Sequence, residues 1–322
     1  MVAKGGRRLK AIVVSAFGGP EQLRLTDVAD PVAGPDQVRI VVHACGVNPV
    51  DAGNRADGTW AGLRAPCILG YDVAGVVDQV GRDVSTLTVG DRVMAMTRFP
   101  DGAGAYAELV VIDADQVARL DPAIPFIAAA ATPLAAGTAW DVMTRLNLQP
   151  GARVLVLGAS GGVGMFFLQL ATRHGLDPIA VGRPEMHETL RALGATHCVD
   201  YTREDVAHRA KQLAGGRVDA VADFVGGTLL ASVVPTVRVG GALTTIASPA
   251  LDIDPIVDNN LTLHGVLIDN NGDRTRQLAA LLASGVLRPT VSHVLPLEEA
   301  ARAHEIVDQK HPGGKIVLSV RD

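Results

Sequence analysis

The sequence predicts an α/β protein of two domains, a doubly wound parallel sheet and a β-rich partner. Three textures predict it. From about Pro125 to Asn271, aliphatic runs alternate with helical stretches, whereas from Leu9 to about Ala118 short β-type runs alternate with Gly, Pro and Asp turns. At Val154–Gly164 an aliphatic run passes through glycines straight into an amphipathic stretch. With 322 residues and 48% hydrophobic composition, the chain can bury a core for each domain.

In chain order, AIVVSAF, QVRIVVHACGV, VAGVVDQV, DRVMAM and YAELVVI read as strands of the β-rich domain. The alanine-rich FIAAAATPLAAGTAW reads as a buried helix interrupted at Pro133. ARVLVLG, DPIAVG, THCVD, DAVADFVG, ALTTIA and LTLHGVLI are unbroken enough for a sheet covered on both faces, with HETLRALG and VAHRAKQLAGG as helices between them. RTRQLAALLASG (helix), VSHVLPL (strand), LEEAARAHEIVDQ (helix) and GGKIVLSV (strand) then return the chain to the first domain. The expected division is 1–124 with 272–322, and 125–271.

VLVLGASGGVG, Val154 to Gly164, is a strand, a glycine-rich turn and a helix start. A helix that opens directly after a buried strand aims unpaired N–H groups and a positive dipole end at an anion. In the register Gly-x-Gly-x-x-Gly, Ala159 takes the first place, while Gly161 and Gly164 keep the second and third. The loop Gly158, Ala159, Ser160, Gly161, Gly162 and Val163 is the candidate site for a dinucleotide pyrophosphate. At the end of the second strand, where an NAD site places a carboxylate for the ribose, the chain has Gly182 and Arg183. A guanidinium there suits a 2′-phosphate, so NADP is the expected cofactor.

Composition excludes several classes. A net charge of −5 gives no nucleic-acid footprint, and no apolar run is long enough to cross a membrane. The basic opening MVAKGGRRLK lacks the apolar core of a signal peptide, and Cys45, Cys67 and Cys198 are odd in number and far apart. A reducing cytoplasm is the expected compartment. His43 and Cys45 face one side of a strand, a pairing read as packing rather than metal binding.

GVNPVD at Gly46–Asp51, LGYDVAGVV at Leu69–Val77, VGDRV, GAYAELVV, TPLAAGTAW, LGASGGVG, LRALGATHCVDY, DFVGG and GGKIVL together resemble the zinc-independent, quinone oxidoreductase-like branch of the medium-chain dehydrogenases/reductases. The likeness runs over essentially the whole chain. It implies a GroES-like catalytic domain and a Rossmann domain with the active site in the cleft between them, and a homodimer through the edge strand near Leu261–Ile268. Where zinc-dependent relatives have a cysteine and a His-Glu pair, this chain has Asn48 and Tyr71-Asp72, and the four-cysteine lobe is missing, so no metal is expected. Without a Lewis acid, simple alcohol oxidation loses its main assistance, while hydride transfer to a quinone or α,β-unsaturated carbonyl, whose product charge is delocalised, stays feasible.

The resemblance assigns Asn48 to the nicotinamide ribose or carboxamide, brings Thr138 to the nicotinamide, sets Tyr201 near the adenosine phosphate and sends Lys315 to the cofactor. It places Trp60, Tyr71 and Phe99 by the substrate, with Tyr71 as the candidate substrate-facing hydroxyl. Two departures stand out: Ala52, Gly53 and Asn54 replace a frequent tyrosine, and Met186 replaces a frequent cofactor-binding lysine. The expected activity is an NADPH-dependent quinone or enone reductase acting on a small molecule. The alternatives are an enoyl reductase of polyketide or other secondary metabolism and a catalytically weak, NADPH-binding redox sensor.

Overall fold

The computed structural model describes residues 8–309 and 313–321, so most of the basic opening lies outside the described residues. The chain divides into two compact units, one running to Gly137 and resuming at Asp269, the other Thr138–Ile268. The division after Gly137 falls later than the sequence suggests, because the first alanine-rich helix packs on strands of the β-rich unit.

The β-rich unit begins with β1 (Arg8–Val14), β2 (Leu23–Ala29), β3 (Gln37–Val47), helix α1 (Pro49–Ala56), β4 (Cys67–Ile68), β5 (Asp72–Val80), β6 (Arg92–Met96), β7 (Leu109–Asp113) and β8 (Val117–Arg119). The alanine-rich stretch is two helices, α2 (Phe126–Ala130) and α3 (Pro133–Leu146), with Pro133 at the start of the second, where its missing N–H costs nothing.

The second unit carries β9 (Arg153–Leu157), α4 (Gly162–Arg173), β10 (Asp177–Val181), α5 (His187–Ala192), β11 (His197–Val199), α6 (Val206–Leu213), β12 (Val218–Asp223), α7 (Thr228–Val233), β13 (Val237–Thr245), α8 (Asp254–Asp258) and β14 (Thr262–Gly265). Its strands pair in the order β11-β10-β9-β12-β13-β14, all parallel, which is a doubly wound Rossmann sheet. The order reverses between β9 and β12, so the glycine loop after β9 sits at the switch point, where such sheets bind ligands. LTLHGVLI was expected as one strand, but pairing covers only Thr262–Gly265, at the sheet edge.

The chain then returns through α9 (Gly272–Ala283), β15 (Val291–Pro296), α10 (Ala300–Asp308) and β16 (Lys315–Ser319). In the larger β-rich sheet, β3 pairs along one side with β5 and along the other first with β7 and then with β16. Both later neighbours of its C-terminal half run antiparallel to it, with Ile316 opposite Val47 and Asp72 opposite Gly46. The end of β3 therefore meets the beginnings of β5 and β16. That register brings Asn48, Asp72 and Lys315 together from three distant parts of the sequence. Around them lies a core that includes Ile40, Val42, Val73, Tyr106 and Leu318.

Candidate active site

Asn48 is the residue before α1, and its backbone N–H donates to Asp51 Oδ2 at 2.8 Å, one half of a capping box. Its side chain belongs to a buried ionic network. Asn48 Nδ2 donates to Asp72 Oδ2 at 2.8 Å, and Lys315 Nζ donates to Asn48 Oδ1, to the Val47 carbonyl at 3.3 Å and to Asp72 Oδ2 at 3.3 Å. Asp72 Oδ1 accepts the Leu134 N–H at 2.7 Å, a donor in the first turn of α3. Asp72 is fully buried, Asn48 is 2% exposed and Lys315 5%. Such a pair is tenable only because the carboxylate also receives two amide hydrogen bonds and the ammonium also meets two neutral oxygens. Gly46 is required beside it, since a Cβ there would lie 2.7 Å from Asp72 Oδ2 and 2.4 Å from the Ala130 carbonyl oxygen.

Beneath this network lies a second buried group. Burial pushes the Asp51 carboxyl up from 3.8 to about 7, with the nearby Asp72 charge adding to the rise. Its Oδ1 has no hydrogen-bond partner, although the Tyr106 hydroxyl is near enough to act on it. Tyr106 in turn shares a 3.2 Å hydrogen bond with His304 Nε2, and burial presses His304 down from 6.5 to about 3. The sequence reading missed Asp72, Asp51, Tyr106 and His304 as a cluster. The available signal was a charged residue inside an aliphatic run, as in YDVAGVV, and a histidine on the apolar face of AARAHEIV.

Two expectations need correction. Tyr71 is buried, donating to the Pro100 carbonyl at 2.6 Å and accepting from Asn54 Nδ2 at 2.7 Å, so its hydroxyl is committed inside the unit and does not face a substrate. Lys315 was expected at the cofactor, but its three N–H groups are matched by three acceptors within the β-rich unit. Trp60, Phe99 and Tyr71 do come together. Phe99 meets Tyr71 edge-on at 4.9 Å and Trp60 at 6.3 Å, leaving Trp60 53% exposed at the outer end. His43 stacks on Phe126 at 4.3 Å while Cys45 is buried in the core, as the packing reading expects.

In the parallel-sheet unit the glycine loop has the form an anion needs. Gly161 precedes α4 without a side-chain cap, and Met165 N–H to Gly161 O is the first intrahelical bond, so the N–H groups of Gly162, Val163 and Gly164 precede it. Gly164 permits the helix to close on the loop, because a Cβ there would stand 2.4 Å from the Gly158 carbonyl oxygen. Gly158 itself has a φ of +72° and abuts the Phe224–Val225 segment that follows β12. That segment is held by Asp223, which accepts from the N–H groups of Val225 at 2.9 Å and Gly226 at 3.1 Å and from Thr245 Oγ1 at 2.9 Å. Ala159 is buried under the loop and Ser160 is partly exposed.

At the end of β10, Gly182 donates to the Val199 carbonyl, and Arg183 Nε donates to the Tyr201 hydroxyl at 2.9 Å. The pair joins the ends of neighbouring strands β10 and β11, with Arg183 partly exposed. Thr138 is buried in α3 as the first residue of the second unit.

Residues 34–122 match the family model for the alcohol dehydrogenase GroES-like domain, and residues 193–318 match that for zinc-binding dehydrogenases. The quinone oxidoreductase of Sus scrofa is 33% identical over 330 residues, covering 98% of this chain and 99% of that protein. The chain is a medium-chain dehydrogenase/reductase of the zinc-independent, quinone oxidoreductase-like branch. Among other members of this family, the NADPH-dependent alkenal/one oxidoreductase of Arabidopsis thaliana is 31% identical over 97% of this chain and 80% of that protein. The quinone oxidoreductase of Coxiella burnetii superposes with a TM-score of 0.90 at 32% identity, covering 98% of this chain and 100% of that one. This branch of the medium-chain dehydrogenases/reductases comprises oxidoreductases that use a nicotinamide cofactor, and the open helix start at Gly161–Gly164 fits its pyrophosphate. Zinc, which one model's description names, does not fit here: Asn48 supplies an amide, and the carboxylate of Asp72 already holds the Lys315 ammonium. No helix among the described residues is long and apolar enough to cross a membrane.

Proposed function

We propose that this protein is an NADPH-dependent reductase that delivers hydride to a quinone or an α,β-unsaturated carbonyl without a metal. The observation that carries the reading is the Asn48–Asp72–Lys315 network, in which Asn48 and Asp72, at positions where the motif of zinc-dependent relatives has ligands, are tied to each other and to a fixed cation. The names of the similar proteins, quinone oxidoreductases and an NADPH-dependent alkenal/one oxidoreductase, point the same way.

When bound, the nicotinamide supplies hydride. The chain's own residues do the rest. The loop Gly158–Val163 and the opening of α4 hold the pyrophosphate, and Arg183, steadied by Tyr201, takes the 2′-phosphate through charge-assisted hydrogen bonds. Thr138 approaches the nicotinamide, and Trp60 with Phe99 offers an apolar face to a flat acceptor. Protons come from solvent, because Tyr71 is committed elsewhere. We further propose a cytoplasmic homodimer in which β14 of each copy pairs at its free edge, where Leu267 and Val257 stand exposed.

The test is NADPH consumption by purified protein across 1,4-quinones, alkenals, cyclic enones and enoyl thioesters. Turnover with quinones or enones, faster with NADPH than with NADH, is the expected result. Turnover confined to enoyl thioesters would move the protein to biosynthetic enoyl reduction, and NADPH binding without any turnover would make it a redox-sensing binder.

A further inference from the structure

Within the buried network only one group has a donor to spare. Lys315 can only donate, and its three N–H groups meet the Val47 carbonyl, Asn48 Oδ1 and Asp72 Oδ2. Ionised Asp72 can only accept, and it takes the Leu134 N–H, Asn48 Nδ2 and Lys315. These two neighbours leave the Asn48 carboxamide one orientation. Turned over, its NH2 would face the ammonium and its oxygen would face the carboxylate, exchanging two charge-assisted hydrogen bonds for two repulsions. In the orientation observed, one N–H of Asn48 goes to Asp72 and the other has no partner among the described residues. The ammonium on Oδ1 draws electron density from the amide nitrogen and strengthens that remaining donor.

We propose that Asn48 donates this N–H to the carbonyl oxygen of the hydride acceptor, with Asp72 and Lys315 as positioning residues that fix and polarise the amide. The inference rests on the hydride-transfer reading above and goes further by naming the group that meets the developing charge. Hydride adds to the β-carbon of an enone, the electron pair of the C=C bond moves toward the carbonyl, and the oxygen becomes an enolate oxyanion. In a quinone, the two electrons arriving with hydride likewise leave negative charge on a carbonyl oxygen. The nicotinamide is oxidised by two electrons, the acceptor is reduced by two, and one solvent proton completes the product. The other polar groups of the network are spoken for: Lys315 has no N–H left, and the Tyr71 hydroxyl proton goes to Pro100. An amide whose acceptor end is taken presents only a donor, which suits an oxyanion.

The experiment compares wild type with Asn48→Ala and Asp72→Asn, each checked for fold by circular dichroism. It measures kcat with 1,4-naphthoquinone and with 2-cyclohexenone, and NADPH affinity by fluorescence titration. An enolate is the more basic oxyanion and depends more on a donor. Asn48→Ala is therefore expected to lower kcat for the enone about 10²–10³-fold and for the quinone several-fold less, with NADPH affinity within about threefold of wild type. Asp72→Asn, which no longer orients the amide, should show the same enone-over-quinone pattern in smaller measure. Equal losses for both acceptors, or weakened NADPH binding with kcat preserved, would overturn the inference alone and return Asn48 to a structural or cofactor-holding role. A wild-type protein that binds NADPH yet reduces neither acceptor would overturn the reading beneath it and this inference with it.

Discussion

The two units prepare for their ligands in opposite ways. In the β-rich unit the network around Asn48 is closed: Asp72 and Lys315 are buried, and nearly every donor and acceptor is matched by another side chain or backbone group. In the parallel-sheet unit the loop at Gly158–Gly164 is open, with backbone N–H groups preceding the first intrahelical bond and a partly exposed Arg183. A closed network fixes geometry at the cost of desolvating charge, and it fails when one member is removed. An open helix start costs the fold little and waits for its anion.

That contrast is most easily broken at Asp72. Asp72→Leu leaves the Lys315 ammonium buried beside an amide oxygen with no counter-charge, and should cost about 3–5 kcal/mol of unfolding free energy by urea titration. Changes in the open loop that keep the glycines should cost far less. A loss below about 1 kcal/mol at Asp72 would show that the network is not closed as described.

The pH dependence of stability sharpens the same point, because two buried groups pull against each other. Between 3.8 and about 7 the folded protein keeps a proton on Asp51 that the unfolded chain has released, so stability from this group falls as pH rises. Between about 3 and 6.5 the unfolded chain holds a proton that folded His304 refuses, so stability from that group rises with pH. Over the shared window of 3.8 to 6.5 the two offset each other. Removing Asp51 by Asp51→Asn should therefore make the slope of stability against pH more positive than in wild type, by up to about 1.4 kcal/mol per pH unit. His304→Gln should shift it the other way. Slopes unchanged in both variants would contradict the assigned protonation states.

The smallest effects belong to the open half. Arg183→Ala should weaken NADPH binding about tenfold and leave NADH binding unchanged, measured by fluorescence titration. Tyr201→Phe, which only frees the guanidinium, should weaken NADPH about two- to threefold. Equal losses for NADPH and NADH would remove Arg183 from the 2′-phosphate.

The same contrast explains what could be read before the structure. The parallel sheet and its glycine loop are local: VLVLGASGGVG contains the strand, the turn and the helix start within eleven residues, and the parallel course of the strands follows from their alternation with helices. The extent of the edge strand was overestimated, because its ladder with β13 ends at Gly265, beyond which the Val266 N–H makes a last bond to the Thr245 carbonyl. The Asn48 network could not be read this way. It joins residues 48, 72, 134 and 315, and their meeting depends on the register of β3 with β5 and β16, which hydrophobic pattern does not encode. Tyr71 and Lys315 were assigned outward because the motif places them near the site, but the direction of a hydroxyl or an ammonium is decided by nearby acceptors. Pro100 and Val47 supply those acceptors as backbone carbonyls, invisible in any list of side chains.

We propose hydride transfer with a fixed amide donor in the place of a metal. NADPH oxidation by 1,4-naphthoquinone, followed after exhaustive dialysis against a strong chelator and again with zinc added back, decides whether a metal takes part. Turnover unchanged by either treatment is expected. Turnover lost on dialysis and restored by zinc would contradict it.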